Sequence, residues 1–254
     1  MLWMRFARGD RRDFGVLEND KVRLYQGDMF CAPQRTDELI ALAQIRWETP
    51  CTPTKMLALW NNFHQAAAKF SLSIPPEPLF FLKGANSFCA HGADIPVPAS
   101  YSGRVLYEGE LGVVIGKQGK DIPMVDAESH IFGYTCVNDV TAMDLLKADP
   151  SFPQWTRAKS FDGFGPFGPV IGTDVDPAEL TVRTLINGKE RQRYAVRDMI
   201  FSPAHLVSLL SRDLTLFPGD IISCGTSIGA GPIPAGATVE VVIDGIGTLS
   251  NRYV

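Results

Sequence analysis

The segment Tyr107-Glu108-Gly109-Glu110-Leu111-Gly112-Val113-Val114-Ile115-Gly116 constrains this chain more than any other stretch. It reads as a β-strand. Side chains alternate faces along a strand, so Glu108 and Glu110 point the same way, with Cα atoms roughly 7 Å apart. The other face carries an apolar stripe of Val105, Tyr107, Leu111, Val113 and Ile115, which holds the strand in register against a core. Two like charges that cannot slip apart need a partner or open water. A hard divalent cation such as magnesium, manganese or calcium supplies the first, because these ions take oxygen ligands held on a rigid element. A solvated acidic face on an antiparallel strand supplies the second.

Composition excludes several partners. The chain has 254 residues, 45% hydrophobic and 20% charged, with a net charge of −4. That is ample chain for a buried core and gives no basic block for nucleic acid beyond the short Arg5 to Arg12 region. No apolar run reaches the roughly 18 residues of a membrane span. The first residues, Met-Leu-Trp-Met-Arg-Phe-Ala-Arg, lack the apolar core of an export signal. Five scattered cysteines, at 31, 51, 89, 136 and 224, read as reduced thiols of a cytoplasmic protein.

Short alternating runs over Trp3–Phe6, Phe14–Leu17 and Lys21–Tyr25, with a turn at Glu18-Asn19-Asp20, predict a hairpin module. Thr36 to Gln44 is expected to be a short helix capped by Thr36. Pro50-Cys51-Thr52-Pro53 then breaks the chain, which places a boundary between a small N-terminal domain (1–50) and the remainder (51–254). Beyond it, strands are expected at Met56–Trp60, Leu79–Lys83, Val105–Ile115, Ile131–Val137, Leu180–Ile186, Ile221–Cys224 and Val239–Ile243. Helices are expected at Asn61–Phe70, Val140–Lys147 and Ala204–Ser211. The Pro-rich stretch Ser71–Pro78 is a candidate lid. The pattern is mainly β, of α+β type, and excludes alternating βαβ architectures.

Other residues bear chemistry. Asp139 follows the apolar strand and is either the N-cap of the helix starting at Val140 or a third carboxylate beside Glu108 and Glu110. Three carboxylates around one divalent ion leave an excess negative charge that Lys159 can offset. The segment around Lys159, rich in aromatics, glycines and prolines, is expected to be irregular and to pack inward, making the ammonium available to a developing oxyanion. Otherwise Lys159 is a surface lysine. His64 lies between a strand end and the proposed lid, and is a catalytic candidate or an ordinary surface or core histidine. The loop Gly225-Thr226-Ser227-Ile228-Gly229-Ala230-Gly231 follows a strand and either binds a carboxylate or phosphate through backbone N–H groups or is a plain turn.

Taken in order, the pieces resemble the fumarylacetoacetate hydrolase superfamily from about Met56 to the C-terminus. The resemblance rests on Pro78–Lys83, Tyr107-Glu108-Gly109-Glu110-Leu111, Phe132–Ala142, Lys159-Ser160-Phe161-Asp162 with Gly168-Pro169, Asn187-Gly188, Asp198–Phe201, Leu216–Asp220, Gly225-Thr226 and Gly245-Ile246-Gly247. It implies a mixed β-roll core behind a small variable N-terminal domain, commonly in a homodimer. It also implies a Mg²⁺-type site, with Mn²⁺ or Ca²⁺ as substitutes, on Glu108, Glu110 and Asp139. The family's active lysine falls on Lys159, its lid histidine on His64, and its carboxylate-binding threonine loop on Gly225 and Thr226.

Members of that family cleave C–C bonds hydrolytically, decarboxylate oxaloacetate-like acids, or isomerise and hydrate 2-oxo-enoic acids. The expected substrate is therefore a small 2-oxo acid or acylpyruvate-like dicarbonyl, the expected reaction hydrolytic C–C cleavage, and the alternatives a decarboxylase, an isomerase or hydratase, or a silent ligand-binding member. Three departures bear on this. Ala67 stands where an acidic partner of His64 is usual. Met143 and Leu146 replace an arginine and a glutamine that contact polar substrate, so that part of the pocket is expected to accept an apolar tail instead of a second carboxylate. Ser227 replaces a proline.

Overall fold

The computed structural model describes residues 1–254. Four strands, β1 (Leu2–Arg8), β2 (Arg11–Glu18), β3 (Lys21–Asp28) and β4 (Cys31–Ala41), form an antiparallel meander. Its first two turns carry Gly9 and Asn19 at positive φ, the conformation that tight hairpins require. The predicted helix over Thr36–Gln44 is instead the second half of β4, followed by a 3₁₀ turn at Leu42–Gln44. Thr36 donates its hydroxyl to the Leu24 carbonyl on β3, and Ile40 pairs with Val22, both buried. Nine residues have little intrinsic helical stability, so strand pairing along an apolar face decides the outcome.

Among the elements that follow are β5 (Met56–Trp60), α1 (His64–Lys69), β6 (Leu79–Lys83), β7 (Gly109–Ile115), β8 (Ile131–Asn138), α2 (Trp155–Lys159) and β9 (Gly165–Gly172). They continue with β10 (Thr181–Ile186), β11 (Lys189–Ala195), α3 (Pro203–Leu210), β12 (Ile221–Ser223), β13 (Thr238–Ile243) and β14 (Gly247–Tyr253). One large sheet runs in the order β4-β3-β2-β1-β9-β8-β7-β12-β5-β6. Its pairs are antiparallel except β12 with β5. The N-terminal meander is therefore an extension of the central sheet, joined where Leu2 and Trp3 pair with Gly172 and Ile171. A second sheet, β11-β10-β13-β14 with the short Asp94–Ile95 strand, packs against it. The architecture is the mainly β, mixed-sheet one expected. No helix is long and apolar enough to cross a membrane.

Three expectations change at or near the site segments. The single strand expected over Val105–Ile115 breaks at Glu108: Val105–Tyr107 joins a small three-stranded sheet, and β7 enters the large one. All of β7 is buried. Leu111, Val113 and Ile115 belong to the main core, while Val114 packs with Trp3 and Ile171 in a separate cluster. The helix expected from Val140 is a two-residue strand, Thr141–Ala142, followed by a 3₁₀ turn over Met143–Lys147. Its backbone is claimed by distant partners, since Val140 N–H donates to the Phe164 carbonyl and Met143 N–H to that of Arg104. The stretch ending at Lys159 is helical, not irregular. Trp155–Lys159 contains no glycine or proline, and these residues begin only past Ser160.

Candidate active site

Strands β7 and β8 bring the carboxylates together. Gly109 pairs with Asn138 and Glu110 with Val137, so Glu108 and Asp139 follow at the open end of the same ladder. The Asp139 N–H donates to the Glu108 carbonyl at 2.8 Å, and Glu108 N–H to the Asn138 side chain at 3.1 Å. Asp139 thus caps no helix. Carboxylate oxygens of Glu108, Glu110 and Asp139 lie within 4.8 Å of one another.

Two ammonium groups enter this cluster. Lys159, at the end of α2, donates to Glu108 at 2.6 Å and Asp139 at 2.5 Å, with its Nζ 5.0 Å from the centre of the Phe81 ring. Lys83, the last residue of β6, donates to the other Asp139 oxygen and to the Lys159 carbonyl, each at 2.5 Å. Both lysines are 3% exposed, too little for either charge to be solvated. Burial alone would lower the pKa of Lys159, but Asp139 and Glu108 outweigh it and hold the group protonated, whereas in Lys83 burial dominates and the pKa falls. For Asp139 burial pulls upward and the two lysines prevail, keeping it ionised.

Glu110 has no such neighbour. Its Oε2 accepts from the Ser223 hydroxyl and from Gly225 N–H at 3.0 Å. Burial, followed by repulsion from Asp139 and Glu108, pushes its pKa well above the ordinary carboxylate value. Burial raises Glu108 as well, against the pull of Lys159. Three buried carboxylates face two ammonium groups, and the deficit falls on Glu110. A third cation is what this donor set lacks, and all-oxygen ligands select a hard divalent ion. The residues therefore fit a hard divalent ion.

The other expected site residues lie at varying remove. The Gly225–Thr226 loop abuts the cluster: Gly225 N–H holds Glu110, while the Thr226 hydroxyl donates to the Gly109 carbonyl at 3.0 Å. His64 is exposed at the start of α1 and makes no hydrogen bond to any carboxylate, and buried Ala67 follows on the same helix. Met143 and Leu146 sit half-buried on the 3₁₀ turn, with Leu146 packed against the second core cluster. Beside Phe81 opens an apolar cleft of about 420 Å³ lined by Trp60, Pro78, Leu79, Phe80, Phe81 and Trp155. The Trp155 ring stacks on Phe81 at 5.1 Å.

Sequence reasoning missed Lys83, Ser223, Gln192 and Tyr194. A signal was present for Lys83: strand alternation puts it on the Phe81 face of β6, so a buried aromatic and a lysine share one side. Gln192 and Tyr194 show the same period, as the two inward residues of the otherwise charged Lys189–Ala195 strand. Nothing in the spacing of Ser223 distinguishes it.

Comparison with known proteins identifies the family. Residues 55–254 match the family model "Fumarylacetoacetate (FAA) hydrolase C-terminal", and residues 1–50 match "Rv2993c-like, N-terminal". The chain is similar to the oxaloacetate tautomerase YisK of Bacillus subtilis, at 36% identity over 89% of this chain and 83% of that protein. The crystal structure of a 2-hydroxyhepta-2,4-diene-1,7-dioate isomerase from Mycobacterium marinum superposes with a TM-score of 0.91 at 38% identity, covering 100% of this chain and 98% of that one. A fumarylpyruvate hydrolase from Pseudomonas aeruginosa, solved with Mn²⁺ and pyruvate, gives a TM-score of 0.74 at 31% identity, covering 86% and 92%. These relatives are named for a tautomerase, an isomerase and a hydrolase that binds a divalent metal. The chain belongs to the fumarylacetoacetate hydrolase superfamily.

Proposed function

We propose that this protein is a divalent-metal-dependent enzyme that cleaves a C–C bond in a small 2-oxo acid or acylpyruvate-like dicarbonyl by hydrolysis. The observation that carries the reading is the buried cluster in which three carboxylates meet only two ammonium groups. Glu108, Glu110 and Asp139 would hold Mg²⁺ or Mn²⁺, which when bound supplies an electrophile for the oxygens of the 2-oxo acid. With that charge added, the cluster turns from net negative to net positive, which suits an anionic substrate. Lys159 stays protonated and stands ready to offset negative charge on an enolate oxygen. Lys83 holds the second oxygen of Asp139 and fixes that carboxylate's direction. The Gly225–Thr226 loop would form the wall for the substrate carboxylate, and the Phe81–Trp155 cleft, with Met143 and Leu146, an apolar side for its tail. His64 would orient or deprotonate water once the Ser71–Pro78 segment closes.

A second reading, enolate isomerisation or decarboxylation without attack by water, is favoured by one observation. His64 is exposed, outside hydrogen-bond reach of the carboxylates, and followed by Ala67 where an acidic partner would stand. Product analysis separates the two. Acylpyruvates, oxaloacetate and 2-oxo-enoic acids are offered with and without Mg²⁺. Metal-dependent release of pyruvate with a free carboxylic acid supports hydrolysis; carbon dioxide or a shifted double bond supports the second reading; no turnover of any of them removes both.

The partner side of the proposal is a second copy of the chain. Strand β6 ends the large sheet with an unpaired backbone edge, and Phe80 and Leu82 on it are exposed. An apolar sheet edge of this kind pairs with another strand unless something blocks it.

A further inference from the structure

Strand β11 carries alternating exposed arginines and buried polar residues, Arg191 and Arg193 outward, Gln192 and Tyr194 inward. Gln192 is 1% exposed and its side chain uses every hydrogen-bonding position it has. Its Oε1 accepts from Gly109 N–H at 3.1 Å and from the Thr184 hydroxyl at 2.8 Å. Its Nε2 donates to the Thr226 hydroxyl at 2.7 Å and the Ser227 carbonyl at 3.3 Å. The amide cannot be reversed, because that would set N–H against the Gly109 N–H and oxygen against the Ser227 carbonyl.

Thr226 closes a ring, accepting from Gln192 and donating to the Gly109 carbonyl, which also accepts from the Tyr194 hydroxyl at 2.6 Å. The Gly109 N–H belongs to the peptide after Glu108, and the Gly109 C=O to the peptide before Glu110. Both peptide planes between the two carboxylates are therefore fixed from the second sheet. The same ring holds the loop whose Gly225 N–H reaches Glu110. Space is exhausted as well, since a Cβ at Gly109 would come 2.0 Å from the Thr184 Oγ1.

We propose that Gln192 is a positioning residue for the carboxylate pair: by pinning the peptides on either side of Gly109 it aims Glu108 and Glu110, and so sets the affinity for the divalent ion. The inference rests on the metal reading above. A buried amide with no contact to the ligand oxygens acts on them through the backbone that carries them; hydrogen bonds made directly to ligating groups are worth roughly 10- to 100-fold in affinity, and the low end of that range is the measure for Gln192.

The test is titration of Mn²⁺ alone into substrate-free protein, by calorimetry and by the electron paramagnetic resonance spectrum of the bound ion. Gln192→Met keeps the length and loses all four hydrogen bonds, and is expected to weaken Mn²⁺ binding about 10-fold or more and broaden the spectrum. A folded Gln192→Met protein with wild-type affinity and spectrum overturns the inference. Should that variant fail to fold, Thr184→Val decides, since it removes one hydroxyl that orients Gln192 at constant shape: weakened Mn²⁺ binding supports the proposal and unchanged binding overturns it. Wild-type protein that takes up no Mn²⁺ defeats the metal reading itself, an outcome distinct from a variant that binds as well as wild type.

Discussion

Glu110 is the member of the buried charge cluster that no ammonium touches, and its raised pKa gives it a titration signature. A carboxyl whose folded pKa lies above its ordinary value of 4.5 stabilises the fold below that value and loses the contribution as pH rises through the folded pKa. Metal-free protein should therefore lose stability on this account above about pH 4.5, and Glu110→Gln should flatten that part of the melting-temperature profile. Metal uptake should release a proton, so apparent affinity should rise by up to about tenfold per pH unit while Glu110 is still protonated. Calorimetry in buffers of different ionisation enthalpy reads the proton directly. Added Mn²⁺ should raise the melting temperature of wild type, because only the native state binds it, and Glu108→Ala should abolish the shift. Lys159→Met, with metal present, should lower turnover by about two orders of magnitude, the scale of losing one preorganised electrostatic group. Equal turnover would place the lysine outside the chemistry.

At the scale of elements, the acidic run shows both the reach of sequence pattern and where it stops. Alternation along Tyr107–Gly116 put Glu108 and Glu110 on one face, and their oxygens do converge with that of Asp139. It did not show the break at Glu108, because the strand that takes Val105–Tyr107 pairs with Thr141–Ala142 and Gly231–Pro232, far along the chain. The helix read into Val140–Lys147 failed for the same reason: local preference is weak, and carbonyls from Phe164 and Arg104 claim its N–H groups. Lys83 reads in the sequence as the end of a strand; alternation sets it on the buried Phe81 face, but the Asp139 it meets there is 56 positions further along the chain. By contrast, the helix expected over Ala204–Ser211 is present as α3, one residue earlier, and the structure adds that Ser202 caps it and Pro203 opens its first turn. Gly109 gives an element-scale prediction. Gly109→Ala should destabilise β7 by about 1–3 kcal/mol through overpacking against Thr184, measured by denaturant unfolding. An unperturbed midpoint would mean that the second sheet gives way freely there.

At the scale of the molecule, the large sheet has two ends, β4 and β6, and they differ in character. The outer residues of β4 are mostly polar or charged, including Gln34, Arg35, Asp37 and Glu38, which is how an edge is kept from pairing. At β6 the exposed residues are Leu79, Phe80 and Leu82. Sedimentation should therefore show a dimer, and Leu82→Lys should shift it toward monomer while secondary structure is retained. A monomeric wild-type protein would leave that edge without a partner.

The join between β1 and β9 also orders events in time. Leu2 lies opposite Gly172, and the N-terminal amino group reaches Thr173, 172 positions away in sequence. The meander can form its hairpins as soon as it is made, and Arg46–Trp47 can pair with Phe6 and Ala7 soon after, but Leu2 and Trp3 on the same edge have no strand to dock on until β9 exists. Contacts so distant in sequence are formed slowly, because the intervening loop must close before any pairing rewards it. During synthesis the outer end of β1, Leu2 and Trp3, must wait for about two thirds of the chain before its edge is paired, whereas Met4 and Phe6 already meet Val22, Leu24 and Ile40 of the meander.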